Sequence, residues 1–342
     1  MTRRARRASE DHASDACAAS NQMRPGARRK PQLISVVLPV LNGEPHLREQ
    51  FEALASQTYR GAWEVVLADN GSTDRSRHVA QGFADRLPAL TVADAGWRRG
   101  LNHARNTGTE AARGDFVAFC DADDVVDRDW LMALAEAAQD ADMVGGHLDF
   151  ELLNEPVCRS WIPPIPDWTF PIEQNFLPGV PGGNCGMWAS VARALRWNDA
   201  FVFGSSDIEF SWRAQLGGYR VVFAREAVVH RRCRPRIRDL ARQWYLYGES
   251  GPQLYREFRD AGMPPARLAA ALGTWCWLLL TMPRVIGSRG FRGHWVRIAA
   301  RSLGSIVGSM RCRVMFIEAP ELPVGESSDR RFALPSSQPE NV

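Results

Sequence analysis

Three carboxylates within four residues follow an apolar segment in the first half of the chain. Residues 116–120 read Phe-Val-Ala-Phe-Cys, and Asp121, Asp123 and Asp124 come directly after them. Phe and Val favour β-strands, so the segment predicts a strand that ends in carboxylates. Carboxylates this close repel one another, and a divalent cation such as Mg²⁺ or Mn²⁺, which takes oxygen ligands, removes that repulsion. An acidic turn or a helix N-cap explains the same residues without a metal.

A second apolar segment, residues 63–68, also ends in a polar loop, which reads Asp69-Asn70-Gly71-Ser72-Thr73-Asp74. A carboxylate at a strand end can accept a hydrogen bond from an imide N–H such as that of uracil N3, and Gly and Ser permit a tight turn. A turn followed by a helix cap, with no ligand, explains this loop equally well.

Between these two loops, Gly100, Ala104 and Gly108 recur one helical turn apart. The spacing predicts a helix whose small residues let it pack closely on the sheet or on a ligand. Arg105 on this helix would lie where a diphosphate could bind it, although a purely structural arginine fits the pattern too.

The elements that position these residues are predicted to form a strand–helix–strand unit. Residues 33–42 read as a near-continuous apolar strand, as buried parallel sheets require, that ends in a Pro/Asn/Gly turn. Apolar residues of 47–55 then recur at helical spacing before the second strand. This order predicts a parallel α/β sheet, whose ligands bind beyond the carboxyl ends of the strands. Asp69 and Asp121 are therefore expected to face one crevice.

The composition is that of a soluble protein with a sizeable core, because 45% of the 342 residues are hydrophobic and 24% are charged. The formal net charge of +3 does not demand a nucleic-acid partner, and Lys30 is the only lysine. The seven cysteines include no Cys-x-x-Cys pair, which argues against zinc and a disulfide framework and favours a reducing compartment. The basic arm, 1–31, and the tail, 319–342, are expected to be disordered.

Taken in order, four motifs resemble the inverting family 2 glycosyltransferases, which have the GT-A fold. The motifs are Pro39-Val40-Leu41-Asn42, Asp69-Asn70-Gly71-Ser72-Thr73-Asp74, Gly100-Leu101-Asn102-His103-Ala104-Arg105-Asn106-Thr107-Gly108 and Asp121-Ala122-Asp123-Asp124. The resemblance implies an α/β fold over residues 32–250, with a Rossmann-like, mostly parallel sheet flanked by helices. A C-terminal helical extension over 251–318 would follow it.

The resemblance also assigns residues to the donor side of a site. It implies that Asp69 holds the nucleotide base, that Asp121 contacts the ribose or the diphosphate, and that Asp123 ligates Mn²⁺ or Mg²⁺. In similar enzymes a histidine at the place of His230 can approach the metal or diphosphate, although a lone histidine is more often structural. The nucleotide-sugar and metal ligands expected on these grounds are Pro39, Asn42, Asp69, Arg105, Asp121, Asp123 and His230. The base loop departs from the family at Asn70, where Asp is common.

Residues 204–213 resemble the family segment that carries the catalytic base, with Ser206 in place of the usual Glu. The resemblance makes Asp207 the base, and an acceptor hydroxyl needs such a carboxylate to take its proton during attack. A helix N-cap explains Asp207 as well. Gly183, Asn184 and Glu209 are expected on the acceptor side.

These assignments predict a metal-dependent inverting glycosyltransferase that acts in glycan or cell-envelope biosynthesis. It would move a single sugar from a nucleotide-diphosphate donor, with UDP favoured, to a sugar, lipid-linked or small-molecule acceptor. Residues 242–248 resemble the helix and glycine turn that close the site in soluble members and lack the Gln-x-x-Arg-Trp signature of processive synthases. A nucleotidyltransferase would need a Gly-rich phosphate loop, which residues 39–44 do not provide. A non-catalytic nucleotide-sugar-binding module is disfavoured because the acidic residues are retained.

Two segments of the second half have open roles. The proline-rich stretch 161–181 is predicted to be irregular, and its aromatic residues could stack on an acceptor or pin the loop to the core. Residues 268–282 are apolar but shorter than a membrane-spanning helix needs. Apolar residues of 295–307 alternate with arginines, as in an interfacial helix or in a helix packed on the domain. The expected location is cytoplasmic, with peripheral contact at the inner face of the membrane as the open alternative.

Overall fold

The computed structural model describes residues 30–202 and 204–320. The basic arm and the C-terminal tail predicted from sequence lie almost entirely outside the described residues. The described part contains a mixed sheet with helices on both faces, followed by a layer of C-terminal helices.

The strands are bounded as follows: β1 Leu33–Val40, β2 Ala62–Asp69, β3 Leu90–Asp94, β4 Phe116–Cys120, β5 Val125–Val126, β6 Met143–Asp149, β7 Ile172–Glu173, β8 Leu177–Pro178, β9 Asn184–Trp188 and β10 Val221–His230.

The α-helices are bounded as follows: α1 Glu44–Ala55, α2 Ser76–Gln81, α3 Leu101–Ala111, α4 Trp130–Ala137, α5 Pro156–Ser160, α6 Ala189–Leu195, α7 Ser206–Leu216, α8 Ile237–Phe258, α9 Leu268–Thr281 and α10 Arg289–Cys312. Short 3₁₀ turns follow α4, α8 and α9 at Ala138–Asp140, Arg259–Ala261 and Met282–Val285.

Eight strands form one sheet in the order β3-β2-β1-β4-β9-β6-β10-β5. The predicted parallel core is confirmed, because β3, β2, β1 and β4 run parallel, while β9 pairs antiparallel with both β4 and β6. β1 and β2 are buried after their first residues, which explains their largely apolar sequences. Pro39 lies beyond the last pairing of β1 with β4, so its missing N–H costs no ladder bond on that side.

The helix predicted around residues 100–108 is α3, and it packs closely on the parallel strands. A Cβ atom at Gly108 would collide with Val37 and would lie 3.2 Å from the Cβ of Ala68. Glycine at this position therefore sets the distance between α3 and the sheet, and with it the position of Arg105 on the same helix.

The proline-rich segment contains more regular structure than its sequence predicts, since β7 and β8 pair as a short antiparallel hairpin. Most of its aromatic residues face the core: Trp161 and Phe170 are buried, and Phe176 packs edge-on against Trp212 at 5.0 Å. Trp168 is the exposed aromatic side chain of the segment. The geometry favours the alternative in which aromatic residues pin this loop to the core.

The predicted domain boundary at residue 250 falls inside α8, which runs without interruption from Ile237 to Phe258. Gly248 does not end that helix, as the sequence interpretation assumed. It lies where α10 crosses, because a Cβ there would collide with the backbone carbonyl of Arg301. Gly304 of α10 approaches the Tyr245 backbone in the same way. Glycines on both helices thus allow α8 and α10 to pack with their backbones in contact.

Candidate active site

The two carboxylates predicted to share a crevice lie at the same edge of the sheet. Asp69 ends β2, and Asp121 follows β4, and both strands run parallel to β1, which lies between them. Two strand spacings separate β2 from β4, about 10 Å. This distance is close to the span from a nucleotide base to its phosphates. The two carboxylates therefore fit two parts of one nucleotide better than they fit a single group.

The Asp69 carboxylate is fully buried and is held in its ionised form. Its Oδ1 accepts a hydrogen bond from the Ser72 backbone N–H at 2.9 Å, and Arg77 pairs with its Oδ2. Burial would raise the pKa of Asp69, but the hydrogen bonds from Ser72 and Arg77 outweigh it and lower the pKa. Asp69 can therefore accept a hydrogen bond from a nucleobase N–H at neutral pH.

Asn42 supports this loop from the end of β1. Its Oδ1 accepts the Thr73 N–H at 2.8 Å, and its own N–H donates to the Ser72 hydroxyl. Asn42 has a φ of 54°, in the left-handed region that Asn tolerates better than most residues. Asn70, the departure from the family pattern, binds the Ala95 carbonyl and the Gly100 N–H, so it ties the base loop to the start of α3.

Arg105, Asp121 and Asp207 meet at the Gly182–Gly183 turn. The Arg105 guanidinium lies 3.4 Å from Asp121 Oδ1, and the Gly182 N–H donates to Asp207 Oδ2 at 3.1 Å. A Cβ at Gly182 would lie 2.9 Å from Arg105 Nη1, and one at Gly183 would collide with the Asp121 carboxylate. The two glycines therefore permit the approach of residues from β4, α3 and α7 to one point.

Asp207 occupies the first turn of α7, and an unusual backbone conformation precedes it. Gly204 and Ser205 both have positive φ, of 149° and 54°. The Ser205 hydroxyl is hydrogen-bonded to that of Ser250 on α8 at 2.7 Å, which holds the strained residue in place. The N-cap of α7 is Ser205, whose side chain makes no cap hydrogen bond, and Asp207 Oδ1 accepts the N–H of the next residue, Ile208, at 3.0 Å.

A run of arginines after β10 surrounds the carboxylates that follow β4. Arg234 Nη1 pairs with Asp123 Oδ2 at 2.8 Å, and the Arg232 N–H donates to Asp124 Oδ1 at 2.8 Å. Burial raises the pKa of Asp124 to about 7, although the neighbouring Arg231 guanidinium opposes that shift.

Arg231 is the first arginine of this run. Burial alone would lower the pKa of its guanidinium. The acidic groups around it, Tyr247, Asp124, Asp121 and Asp207, instead raise that pKa well above its ordinary value. Arg231 is thus a permanent positive charge, and the carboxylates after β4 and the predicted base stabilise its charged form.

His230 does not join the predicted metal ligands. Its Nδ1 lies 2.6 Å from Asp149 Oδ2, and its Nε2 lies 3.7 Å from Asp127 Oδ2. The last pair of β10 with β5 fixes this orientation, and the described contacts of His230 do not include Asp121 or Asp123. The structure assigns His230 to the anchoring of the β6 and β10 ends.

Two residues predicted on the acceptor side have structural roles instead. Glu209 is fully buried and binds Arg213, one helical turn later, through Nε at 2.6 Å and Nη2 at 2.9 Å. Asn184 is also fully buried: it accepts a hydrogen bond from Trp130 and donates to the carbonyls of His147 and Ala227. Both side chains are fully buried and hydrogen-bonded inside the protein, so neither faces an acceptor.

The described residues supply only part of a metal site. No group of three or more His, Cys, Asp or Glu side chains in this part of the chain is arranged to hold an ion by itself. The carboxylates of Asp121 and Asp123 are hard oxygen donors, with side chains 24% and 33% exposed. Mg²⁺ and similar ions are commonly held by one or two carboxylates together with substrate phosphates. The residues present therefore fit a divalent cation that arrives with a diphosphate.

Sequence reasoning missed the arginines that give the site its positive charge, above all Arg231, Arg232 and Arg234. Their signal was a dense basic run, which begins directly after the end of β10. It also did not reveal that the Gly182 N–H orients Asp207. One unsatisfied group points to a ligand: Arg105 is 3% exposed, and its Nε has no hydrogen-bond partner.

Comparisons with known proteins identify the family. A model described as Glycosyl transferase family 2 matches residues 35–195, and one described as Glycosyl transferase family group 2 matches residues 116–304, more than half of the chain. The chain belongs to glycosyltransferase family 2. As a family 2 glycosyltransferase it carries the predicted motifs on the predicted strands, and family membership favours glycosyl transfer over the nucleotidyltransferase alternative.

Individual relatives share part of the sequence with this glycosyltransferase. The uncharacterized glycosyltransferase EpsJ of Bacillus subtilis is 36% identical over 115 residues, 33% of this chain and 33% of its own length. Glycosyltransferase AglE of Haloferax volcanii is 24% identical over 225 residues, 65% of this chain and 74% of its own. A mannosyltransferase from Pyrobaculum calidifontis, solved with GDP-Man and Mn²⁺, shares the fold with a TM-score of 0.54 and 19% identity, over 87% of this chain and 96% of that one.

Proposed function

We propose that this protein transfers a single sugar from a nucleoside-diphosphate donor to a hydroxyl group, with inversion at the anomeric carbon. The convergence of Asp121, Arg105 and Asp207 at the Gly182–Gly183 turn carries the proposal. It brings a carboxylate, a guanidinium and a candidate base into one cleft at the carboxyl edge of a parallel sheet, where ligands of α/β proteins bind.

The donor lies across the strand ends in this proposal. Asp69 accepts a hydrogen bond from the nucleobase N–H, because its carboxylate is kept ionised, and Arg77 must then move away from Oδ2. Arg105 binds the diphosphate through the guanidinium whose Nε is otherwise unsatisfied. Arg231 adds a second fixed positive charge beside the same carboxylates. Such preorganised charges stabilise a leaving group without reorganisation during the reaction.

Asp123 and Asp121 would hold a divalent cation together with the donor phosphates. The bound ion would neutralise charge on the departing nucleoside diphosphate as a Lewis acid. Asp123 Oδ2 pairs with Arg234 in the described arrangement. Coordination of the cation by Asp123 would weaken the pair with Arg234. Metal binding would therefore change the position of the arginines after β10.

Asp207 acts as the general base. The acceptor oxygen attacks the anomeric carbon, the bond from that carbon to the diphosphate oxygen breaks, and the acceptor proton moves to the Asp207 carboxylate. The Gly182 N–H and the strained start of α7 hold this carboxylate beside Asp121. Attack from the side opposite the leaving group inverts the configuration.

The choice of nucleotide is a matter for experiment. The sequence resemblance favours UDP, whereas the Pyrobaculum mannosyltransferase was solved with GDP-Man. Uracil N3–H and guanine N1–H can both donate to Asp69. A thermal-shift screen of UDP- and GDP-sugars with Mn²⁺ or Mg²⁺ identifies the donor, since a ligand that binds only the folded state raises the melting temperature.

Metal-dependent hydrolysis of the donor found in that screen tests the proposal. Water replaces the unknown acceptor, and the release of nucleoside diphosphate is measured. We expect release by the wild-type protein to require the metal and to be lost in Asp123→Ala. The matched control is Asp85→Ala. It removes an exposed carboxylate that is far in sequence from Arg231, Arg232 and Arg234. Equal rates in wild type and Asp123→Ala would refute the assigned metal role.

A further inference from the structure

The outer face of α9 and the turn after it form an exposed apolar surface, which we call the α9 face. It comprises large side chains that are 60–88% exposed: Leu272, Leu279, Leu280, Met282 and Ile286. The opposite side of α9 packs against the protein, since Ala271, Thr274, Leu278 and Thr281 are buried there. The helix therefore separates a fixed inner side from an outer side with no described partner.

A shallow apolar cavity extends the α9 face. Its volume is about 320 Å³, and it is lined by Met282, Pro283, Val285, Ile286 and Trp295. Monomeric soluble proteins rarely leave large apolar side chains contiguous and exposed without a function.

The segment that carries this surface is rich in arginine, and Arg289, Arg301 and Arg311 of it pair with Glu155, Glu318 and Glu249. Residues 261–317 contain eight arginines and no Asp, Glu or Lys. Arg267 stands just before α9, Arg284 lies in the turn after it, and Arg292 lies in the first turn of α10, and all three are exposed. An apolar surface with a rim of arginines is complementary to a bilayer that contains anionic lipids, because the acyl region takes the leucines and the head groups take the guanidinium groups.

By length and composition alone, Leu268–Val285 could also cross a membrane, and it is the candidate span among the described residues. Its 18 residues would extend about 27 Å as a helix, close to the thickness of the hydrocarbon core.

The packing on both sides of the segment argues against a crossing. Before α9, Met263 is buried against Phe258 and Trp212 in the body of the protein. After α9, Gly304 and Gly308 of α10 contact the α8 backbone at Tyr245 and Glu249. A single crossing would put α8 and α10 on opposite sides of the bilayer, which these contacts forbid.

We infer that the α9 face docks this protein on the surface of an anionic bilayer, with α9 lying in the interface and not spanning it. Half-buried Trp275 and Trp277 lie on the same helix, and tryptophan favours the head-group region. Docking of this kind would place the enzyme at a membrane whatever its donor, so the inference does not depend on the proposed chemistry.

Co-sedimentation of the full chain with large unilamellar vesicles tests the inference. The probes are vesicles of phosphatidylcholine alone and of phosphatidylcholine mixed with phosphatidylglycerol. We expect binding to the mixed vesicles and a fall in the partition coefficient on the order of tenfold or more in Leu279→Glu/Leu280→Glu/Ile286→Glu. Leu152→Glu/Ile172→Glu/Val202→Glu adds the same charge at apolar positions elsewhere that are 60–66% exposed, and it should bind like wild type.

Replacement of the rim arginines separates the electrostatic contribution to vesicle binding from the apolar contribution. Arg267→Gln/Arg284→Gln/Arg292→Gln should lose about tenfold or more of the preference for anionic vesicles. Sodium carbonate should release the bound wild-type protein. Resistance to carbonate would contradict the in-plane placement. Equal binding by wild type and the α9-face variant would overturn the inference. A different result would also overturn it: the wild-type protein does not bind vesicles and is a dimer in solution, and the α9-face variant is a monomer. The α9 face would then bind a second copy of the chain.

Discussion

The strand-end cleft, which contains Asp69, Asp121, Asp123 and Asp207, differs from the α9 face in whether its side chains already have partners within the protein. In the cleft, arginines form ion pairs with the carboxylates: Arg77 pairs with Asp69, Arg105 with Asp121 and Arg234 with Asp123. On the α9 face, apolar side chains are exposed and no described group covers them. Internal pairing keeps a cleft ordered until a charged ligand replaces one partner. An uncovered apolar face carries no such pairing and depends on an external apolar partner.

The largest effect should come from the base in the cleft. Asp207→Asn keeps the shape of the side chain and its contact with the Gly182 N–H but cannot take a proton. We expect sugar transfer to fall between about a hundredfold and ten-thousandfold, the usual contribution of general base catalysis. Donor binding should remain, as measured by calorimetry with the nucleotide found in the screen. Glu226→Gln, the same change at an exposed site on β10, is the control. Loss of donor binding in Asp207→Asn would instead give this residue a donor role.

The two sides of α9 provide the next contrast, through neighbouring leucines. Leu278 is 2% exposed and packs with Ile298, whereas Leu279 is 71% exposed. Leu278→Ala should lower the free energy of unfolding by about 2–5 kcal/mol because it creates a cavity. Leu279→Ala should change it by no more than about 0.5 kcal/mol. Urea unfolding of the full chain measures both, and similar losses would mean that the outer side of α9 is covered in solution.

A substitution at Arg105 tests whether the charged residues of the cleft bind the donor or only stabilise the fold. Arg105→Gln removes a guanidinium that lies over the Trp197 ring at 4.4 Å and beside Asp121. We expect the dissociation constant of the donor diphosphate to rise roughly 10- to 100-fold, as for the loss of a charge-assisted hydrogen bond. Arg196→Gln breaks an exposed pair with Glu110 and should leave the donor affinity unchanged. A fall in melting temperature without any change in affinity would make Arg105 a structural residue.

Glu64 is a buried carboxylate away from the strand-end cleft, and the smallest effect is expected there. It accepts hydrogen bonds from the Ser35 hydroxyl at 2.7 Å and from the Arg113 N–H at 2.8 Å. Burial would raise the pKa of Glu64, but these bonds and the Arg113 guanidinium outweigh it and lower the pKa. Glu64→Gln should cost about 1–2 kcal/mol at neutral pH.

The pH dependence of that loss follows from the lowered pKa. A carboxyl group whose pKa is lower in the folded state stabilises the fold fully above its unfolded pKa, about 4.3, and loses that contribution as the pH falls through the folded value. The difference between wild type and Glu64→Gln should therefore shrink in acid. Unfolding by urea at neutral and acidic pH checks this, with the exposed Glu257→Gln as control. A difference that does not change with pH would contradict the assignment.

The parallel core and the strand-end carboxylates could be predicted because they depend on local sequence. Apolar strands that end in Asp69 and Asp121 must bring both to one edge once the strands run parallel. The pairing of Glu209 with Arg213 was also readable, since residues four apart on a helix are neighbours. The family resemblance drew attention to an acceptor role instead.

Other features depend on contacts between distant segments, which spacing does not reveal. Asn184 looks like a site residue in sequence, but it bonds β6, β10 and α4 inside the core. The glycine at 248 resembled a helix end and serves a helix crossing. The arginines after β10 were not singled out in the sequence, because only the fold places them against Asp123 and Asp124.

We propose that the strand-end cleft binds a nucleoside diphosphate and a divalent cation together. Isothermal titration calorimetry of UDP and GDP into the full chain, with and without Mn²⁺, tests it most directly. We expect that one nucleotide binds, that Mn²⁺ strengthens its binding, and that the Mn²⁺ effect disappears in Asp123→Ala while weak metal-free binding persists. Nucleotide binding that Mn²⁺ strengthens equally in wild type and Asp123→Ala would contradict it.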